Sequence, residues 1–285
     1  MMKKVQLNNN QEMDVLGLGT YEMKVENVDG AVKAAMKTGY RLYDTAQVYK
    51  NEAEVSAAIA ATGISRNEIF LTTKIATTNQ GYDAAKASVL DSLAKMKQEY
   101  LDLVLIHWPG AKGVDLQSPQ NKDLRHGSFR ALVELQKAGK VKNIGVSNFM
   151  ASHLRGILET FDEKPQVNQI EFSPICYPAK DIAYAQENKV AVQAYSTLGR
   201  GQLLSSEWIN QYPILQQLQK KGSIAQYLLK WVIDKDCLVI PKSITPQRIQ
   251  ENFDALSVTL TEEETQALDN FPISHRTCWD PNTIL

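Results

Sequence analysis

The chain alternates between short apolar runs and amphipathic stretches, and this rhythm is the strongest constraint on its fold. The apolar runs begin near Val15, Tyr40, Ile69, Leu101, Val141, Val167, Val190 and Leu238. Helical periodicity marks several stretches between them, at residues 84–97, 128–138, 179–188 and 223–233. The runs lie about 25 to 45 residues apart, close to the length of one strand–helix unit. Eight such units predict an α/β fold, a (β/α)8 TIM barrel formed by one domain over residues 1–285.

Additional elements are expected at the two ends of this barrel. Two strands, residues 3–7 and 12–16, flank three asparagines and predict an N-terminal β-hairpin. The segments 110–127 and 197–212 are long and polar, so we expect them to be loops at the C-terminal face of the barrel. Long loops at that face commonly carry function.

Charge and cysteine content exclude several classes of protein. The chain has 31 basic and 32 acidic residues, which gives no electrostatic case for binding nucleic acid or an anionic membrane. Its three cysteines are far apart, which favours a reduced intracellular protein. The basic N-terminus, from Met1 to Lys4, is followed by polar residues, and no run approaches the roughly 20 apolar residues of a membrane span. We therefore expect a soluble cytoplasmic protein.

Ionisable side chains follow three successive apolar runs. Asp44, Lys74 and His107 stand at the ends of these runs, and Tyr49 lies five residues after Asp44. The carboxyl ends of barrel strands meet at one face, so these side chains are expected to lie together. A buried aspartate is costly when unpaired, and Lys74 is its expected partner.

Later runs also end in polar side chains. These are Ser147 and Asn148, Gln169 and Glu171, Tyr195 and Ser196, and Lys242 and Ser243. A polar residue after a single strand is common in any α/β protein. Polar groups after seven successive strands favour a catalytic face.

The chain resembles the aldo-keto reductase family. The residues that carry the resemblance are Gly17 to Tyr21, Tyr43-Asp44-Thr45-Ala46 with Tyr49, Asn51 and Glu52, Thr73-Lys74, Leu105-Ile106-His107-Trp108-Pro109, Gly145-Val146-Ser147-Asn148-Phe149, Asn168-Gln169-Ile170-Glu171, Ala194-Tyr195-Ser196 and Ile240-Pro241-Lys242-Ser243. They follow the family's order from the N-terminal hairpin to about Phe271, which is nearly the whole chain. One such motif alone is weak evidence, whereas the full set is specific.

The resemblance implies NADPH-dependent reduction of aldehydes or ketones. Tyr49 would be the general acid, and a nearby Lys74 ammonium would lower its pKa from the usual value of about 10. Asp44 would hold Lys74 charged and in place. His107 would bond to the carbonyl oxygen and orient it.

The resemblance also implies which residues contact cofactor and substrate. The cofactor contacts would be Gly19, Thr20, Ser147, Asn148, Gln169, Tyr195, Ser196, Leu198, Lys242, Ser243, Arg248, Glu251 and Asn252. Within this set, Lys242, Ser243 and Arg248 would surround the adenosine 2′-phosphate. Glu251 would pair with Arg248 or meet the adenine amine. Tyr21, Trp108 and Trp279 would line the pocket of a small-molecule carbonyl substrate.

Two other functions remain open. A nicotinamide-binding barrel with little turnover could be a regulatory or structural subunit, but all four catalytic positions are intact. A metal-dependent hydrolase would need ligands, and the four histidines include no H-x-H motif, so no metal is expected. Many relatives carry a tryptophan after the lysine strand, where this chain has Ile75-Ala76-Thr77. The physiological substrate is therefore left open. A monomer is expected, although the sequence does not fix the oligomeric state.

Overall fold

A computed structural model describes residues 3–285 of the chain. Met1 and Met2, at the start of the basic N-terminus, lie outside the described residues. The strands are β1 (Lys4–Gln6), β2 (Glu12–Asp14), β3 (Leu18–Gly19), β4 (Leu42–Asp44), β5 (Phe70–Ile75), β6 (Leu101–Ile106), β7 (Val141–Ser147), β8 (Val167–Glu171), β9 (Ala191–Tyr195) and β10 (Leu238–Val239).

The α-helices fill the intervals between the strands. They are α1 (Val25–Thr38), α2 (Glu52–Ala60), α3 (Tyr82–Met96), α4 (Gln120–Lys137), α5 (Ala151–Thr160), α6 (Ala179–Glu187), α7 (Ser206–Gln211), α8 (Pro213–Lys221), α9 (Ile224–Ile233), α10 (Pro246–Phe253) and α11 (Glu262–Asp269). No helix among residues 3–285 has the length and apolar character needed to cross a membrane.

Strands β3 to β10 form one parallel sheet in which sequence neighbours are also spatial neighbours. The two edges of this sheet meet, since Leu16 bridges to Val239 and Gly19 bridges to Lys242. The sheet is therefore closed into a barrel. Strands β1 and β2 pair antiparallel as a separate hairpin. The predicted α/β barrel with an N-terminal hairpin is therefore confirmed.

Closure of the barrel explains why a glycine stands at position 19. The Gly19 amide donates a hydrogen bond to the carbonyl of Pro241 at 3.1 Å. A Cβ atom added at Gly19 would lie 2.5 Å from the carbonyl oxygen of Ile240. Any side chain here would push the first and last strands apart, so glycine is needed for their close approach.

The barrel interior changes from apolar to polar along the strands. Leu42, Leu103, Leu105, Val167 and Leu238 belong to one buried apolar cluster. Because residues two apart on a strand face the same side, Asp44 follows Leu42 into the interior and Gln169 follows Val167. The barrel interior therefore contains an apolar layer of side chains and, nearer the carboxyl ends of the strands, a polar layer. The polar layer forms the floor of the candidate active site.

Both segments predicted to be loops contain helices. Helix α4 begins at Gln120, within the predicted loop 110–127. Polar residues fill its first turns, yet Asn121 is buried there and donates a hydrogen bond to the Asp115 carbonyl at 2.8 Å. The second segment contains a 3-10 helix, Gly199–Leu204, and helix α7. The loop predictions are thus wrong over much of both segments, because a polar helix face resembles a loop in sequence.

Candidate active site

A cleft of about 1510 Å³ opens at the carboxyl ends of the barrel strands. Among the predicted catalytic residues, Asp44, Tyr49 and His107 line it. Lys74 lies just beneath, with no solvent exposure. The structure therefore brings all four predicted catalytic residues together.

The Lys74 ammonium occupies the centre of this group. Its Nζ atom lies 2.5 Å from Asp44 Oδ1 and donates a second hydrogen bond to the Thr45 carbonyl at 3.0 Å. The third neighbour is the Tyr49 hydroxyl at 3.3 Å. An ammonium has three N–H donors, and here each has an acceptor. Burial lowers the pKa of Lys74, and the Asp44 carboxylate opposes that effect.

The electrostatics of Tyr49 differ from the expected lowering of its pKa. Burial raises the pKa of the phenol well above its usual value, and the Asp44 carboxylate adds to this effect. The expectation is wrong because burial and the nearby Asp44 carboxylate both disfavour the charged phenolate. Tyr49 is therefore protonated at neutral pH, as a proton donor must be.

His107 stands beside Tyr49 at the end of β6. The two rings lie 5.8 Å apart in an edge-to-face arrangement. Burial, with a smaller contribution from Lys74, lowers the pKa of His107 to about 3. The imidazole is therefore neutral at physiological pH and has one N–H to donate.

Buried amides surround the floor of the cleft. Gln169 donates from Nε2 to Asp44 Oδ2 at 2.7 Å and to Gln193 Oε1 at 2.7 Å. Asn148 donates to the His107 carbonyl at 2.9 Å and accepts from the Tyr195 hydroxyl at 2.6 Å. Ser147 donates its hydroxyl to the Gln169 carbonyl. The groups expected to bind a carboxamide are thus held rigidly by one another.

Two cations line the cleft near the last strand of the barrel. Lys242 and Arg248 both line it and are exposed. Neither has an ion-pair partner among residues 3–285, so the expected pairing of Glu251 with Arg248 is absent. Arg248 lies in the first turn of α10, beyond the Ser243-Ile244-Thr245 turn. Free cations at a helix start suit a phosphate group.

Most other residues predicted to bind cofactor also line the cleft. These are Gly19, Ser147, Asn148, Gln169, Tyr195, Ser196, Leu198, Ser243, Glu251 and Asn252. Thr20 is the exception. It is fully buried and donates its hydroxyl to the Asp44 carbonyl at 2.9 Å. This position makes Thr20 a support for β4 instead of a wall of the cleft.

Aromatic side chains also line the cleft. The Tyr21 ring lies 5.1 Å from the Tyr49 ring, and the Trp108 ring lies 5.9 Å from that of Trp279. All three predicted substrate-pocket residues line the cleft. Trp279 remains 80% exposed, so it flanks the opening and does not cover it.

The sequence interpretation assigned no role to Glu171, which anchors the C-terminal tail. Its fully buried carboxylate accepts hydrogen bonds from the Thr277 amide at 2.6 Å and the Cys278 amide at 3.3 Å. These bonds hold Cys278 and Trp279 against the cleft. The polar end of β8 was visible in the sequence, but its partners lie more than 100 residues away.

A protein metal site commonly needs three or more clustered ligands. Within the described range 3–285, no three His, Cys, Asp or Glu side chains are grouped to hold a metal ion.

Comparison with known proteins identifies the family. The sequence profile described as "Aldo/keto reductase family" matches residues 15–272. The chain belongs to the aldo-keto reductase family. It is 39% identical to the glyoxal reductase of Bacillus subtilis (strain 168), over 99% of this chain and 97% of that protein. Members of this family are oxidoreductases that act on carbonyl compounds.

Solved structures of aldo-keto reductases have the same fold. An enzyme from a Medee basin deep-sea metagenome library is 36% identical, with a TM-score of 0.88 over 99% of both chains. The Bombyx mori aldo-keto reductase, solved in complex with NADP, is 30% identical, with a TM-score of 0.87 over 99% of this chain and 96% of that one.

The lowered pKa of His107 predicts a pH dependence of stability. Between about pH 6.5, the ordinary value, and about pH 3, the unfolded chain binds a proton at His107 that the folded protein does not. The free energy of unfolding should therefore decrease as the pH falls through this window. His107→Gln should weaken this decrease, measured by urea unfolding at pH 7.5 and 5.0.

The control for this measurement is His275→Gln, which removes an exposed imidazole. The same pH dependence in native protein and His107→Gln would contradict a neutral, buried His107.

Proposed function

We propose that the protein reduces aldehydes and ketones to alcohols with NADPH. The observation that carries this proposal is the placement of the Tyr49 hydroxyl 3.3 Å from Lys74, whose charge is held by Asp44 at the floor of an open cleft. This arrangement presents a protonated phenol with a cation behind it. Such a phenol suits a reaction that develops negative charge on a substrate oxygen.

NADPH, when bound, supplies the hydride that reduces the carbonyl carbon. The side-chain oxygen of Gln169, Oε1, has no hydrogen-bond donor among residues 3–285, and Gln169 lines the floor of the cleft. The cleft volume of about 1510 Å³ exceeds the usual range for small ligands and leaves room for a dinucleotide and a substrate. The residues present therefore fit this cofactor.

Tyr49 supplies the proton in this proposal. While the substrate is a neutral carbonyl, burial keeps the phenol protonated. As negative charge grows on the substrate oxygen, the phenol proton moves to it. The Lys74 ammonium then stabilises the phenolate that remains, which it does best in a site shielded from water.

His107 orients the substrate in this proposal. Its neutral imidazole lies beside the Tyr49 ring and lines the cleft. A neutral donor can bond to the carbonyl oxygen without competing with Tyr49 as the acid. The two groups would therefore fix the oxygen from two directions.

Charge supports NADPH over NADH. The two cofactors differ by one phosphate on the adenosine ribose, and Lys242 and Arg248 are cations without partners in the described part of the cleft. The buried Ser243 between them adds a hydroxyl. Cations and donors favour a phosphate, whereas an NAD site presents an acidic residue to the ribose.

Small dicarbonyl compounds are the first substrates to test, because a relative that is 39% identical is a glyoxal reductase. The aromatic rim formed by Tyr21, Trp108 and Trp279 also suits aromatic aldehydes. The monomer expected from the sequence stays a prediction. NADPH consumption with a panel of these aldehydes tests the assignment.

Loss of the phenol hydroxyl should abolish most of the activity. Tyr49→Phe is expected to lower kcat by about 10²- to 10⁴-fold, the usual contribution of general acid catalysis. The Kd for NADPH should stay near the native value because the ring still packs. Steady-state kinetics and fluorescence titration measure the two quantities.

The matched control is Tyr82→Phe, which removes a phenol hydroxyl bonded to Glu134 on the protein surface. A Tyr49→Phe variant with near-native kcat would remove Tyr49 from the mechanism.

Cofactor selectivity gives a second test. Arg248→Ala and Lys242→Ala should each raise the Kd for NADPH by about 10- to 100-fold, since each removes a charge-assisted hydrogen bond. The Kd for NADH should change little. Isothermal titration with both cofactors measures this, with exposed Lys37→Ala as the control. Equal losses for NADPH and NADH would show that these residues support the fold and do not bind the phosphate.

A further inference from the structure

Gln193 is a fully buried side chain inside the barrel, on strand β9. Its Oε1 atom accepts a hydrogen bond from Gln169 Nε2 at 2.7 Å. We propose that Gln193 is a positioning residue that holds the second N–H of Gln169 inside the barrel, so that only the Gln169 side-chain oxygen faces the cofactor. This inference rests on the proposed NADPH-dependent function.

The order of hydrogen bonds begins at Asp44. Its carboxylate pairs with Lys74, 2.5 Å from Oδ1, and its second oxygen, Oδ2, accepts hydrogen bonds. The amide that meets Oδ2 must therefore present its NH2 group, and Gln169 does so at 2.7 Å. This contact fixes the NH2 end of the Gln169 amide at Asp44. The second N–H of the same NH2 group needs another acceptor.

Gln193 takes that second N–H. Because Gln169 donates to it, Gln193 must turn its own oxygen toward Gln169, and its NH2 group points the other way. The Gln193 Nε2 atom is buried and has no hydrogen-bond partner among residues 3–285. An unpaired buried donor is costly. The unpaired Gln193 Nε2 is the last atom of a series of hydrogen bonds that runs from Asp44 through Gln169 to Gln193. The Asp44 carboxylate determines which group donates at each step.

These hydrogen bonds determine which donor and acceptor groups face the cleft. Both N–H groups of Gln169 are used inside the protein, so only its oxygen is available to a ligand in the cleft. The Asn148 NH2 group is also used, by the His107 carbonyl and the Ser147 hydroxyl. The amide side chains of the cleft floor therefore offer acceptors, and this part of the floor should select a ligand that carries an N–H donor. The nicotinamide carboxamide has such a donor in its NH2 group.

A cofactor analogue tests this arrangement. Reduced 3-acetylpyridine adenine dinucleotide phosphate keeps the carbonyl of the carboxamide but replaces its NH2 group by a methyl group. The native protein should bind it about 3- to 10-fold more weakly than NADPH, the effect of one lost hydrogen bond. In Gln193→Leu the second N–H of Gln169 loses its acceptor and can turn toward the cleft, where it meets the carbonyl that both cofactors carry. The ratio of the two Kd values should therefore fall below about 2-fold.

The control is Gln166→Leu. Gln166 is also buried, but it lies at the opposite end of the barrel, where it bonds to Asn8 and the Lys164 carbonyl. A loss of buried amide bonds there should leave the Kd ratio at its native value. Thermal unfolding checks that each variant is folded, and Gln193→Met, with an unbranched side chain of similar length, replaces the leucine variant if that variant does not fold.

Each outcome separates the inference from the proposed function. A native-like ratio in the Gln193 variant, or a ratio near 1 in the native protein, would overturn the role of Gln193 and leave NADPH binding intact. Absence of NADPH binding by the native protein would overturn the proposed function and this inference with it.

Discussion

The active site depends on one energetic constraint, the complete burial of the Lys74 ammonium. A charge removed from water costs several kcal/mol unless it is paired and hydrogen-bonded. Asp44 pairs with Lys74 at 2.5 Å, and the Thr45 carbonyl takes a second N–H. The remaining donor direction leads to the Tyr49 hydroxyl. The geometry that stabilises the charge is thus the same geometry that places a proton donor at the cleft floor.

The same constraint extends across the barrel. Asp44 has a second oxygen to satisfy, and Gln169 satisfies it from strand β8 on the other side of the barrel. Gln193 then receives the second N–H of Gln169. Side chains from β4, β5, β8 and β9 are therefore ordered by one buried ion pair. Closure of the sheet at Gly19 brings these strands within reach of each other.

Much of the fold and of the active site could be predicted from the sequence, because both depend on local sequence patterns. Apolar runs that end in Asp44, Lys74 and His107 place these groups at one face of any parallel barrel. The helical residues 120–127, at the start of α4, were predicted as loop because they are mostly polar and carry no apolar periodicity. The direction of the Tyr49 pKa shift was wrong because the degree of burial is a property of the folded protein. The contact of Gln169 with Asp44 joins strands that are not neighbours, so no spacing in the sequence indicates it.

The most direct test of this account is a double-mutant cycle on Asp44 and Lys74, with kcat/KM for aldehyde reduction as the measured quantity. Asp44→Asn and Lys74→Met should each lower it by about 10²-fold or more, since each leaves a buried charge without its partner and disturbs Tyr49. Because both residues act through the same phenol, kcat/KM of the double variant should be close to that of the less active single variant. Losses that multiply in the double variant would show that the two residues act independently, and this result would contradict the account.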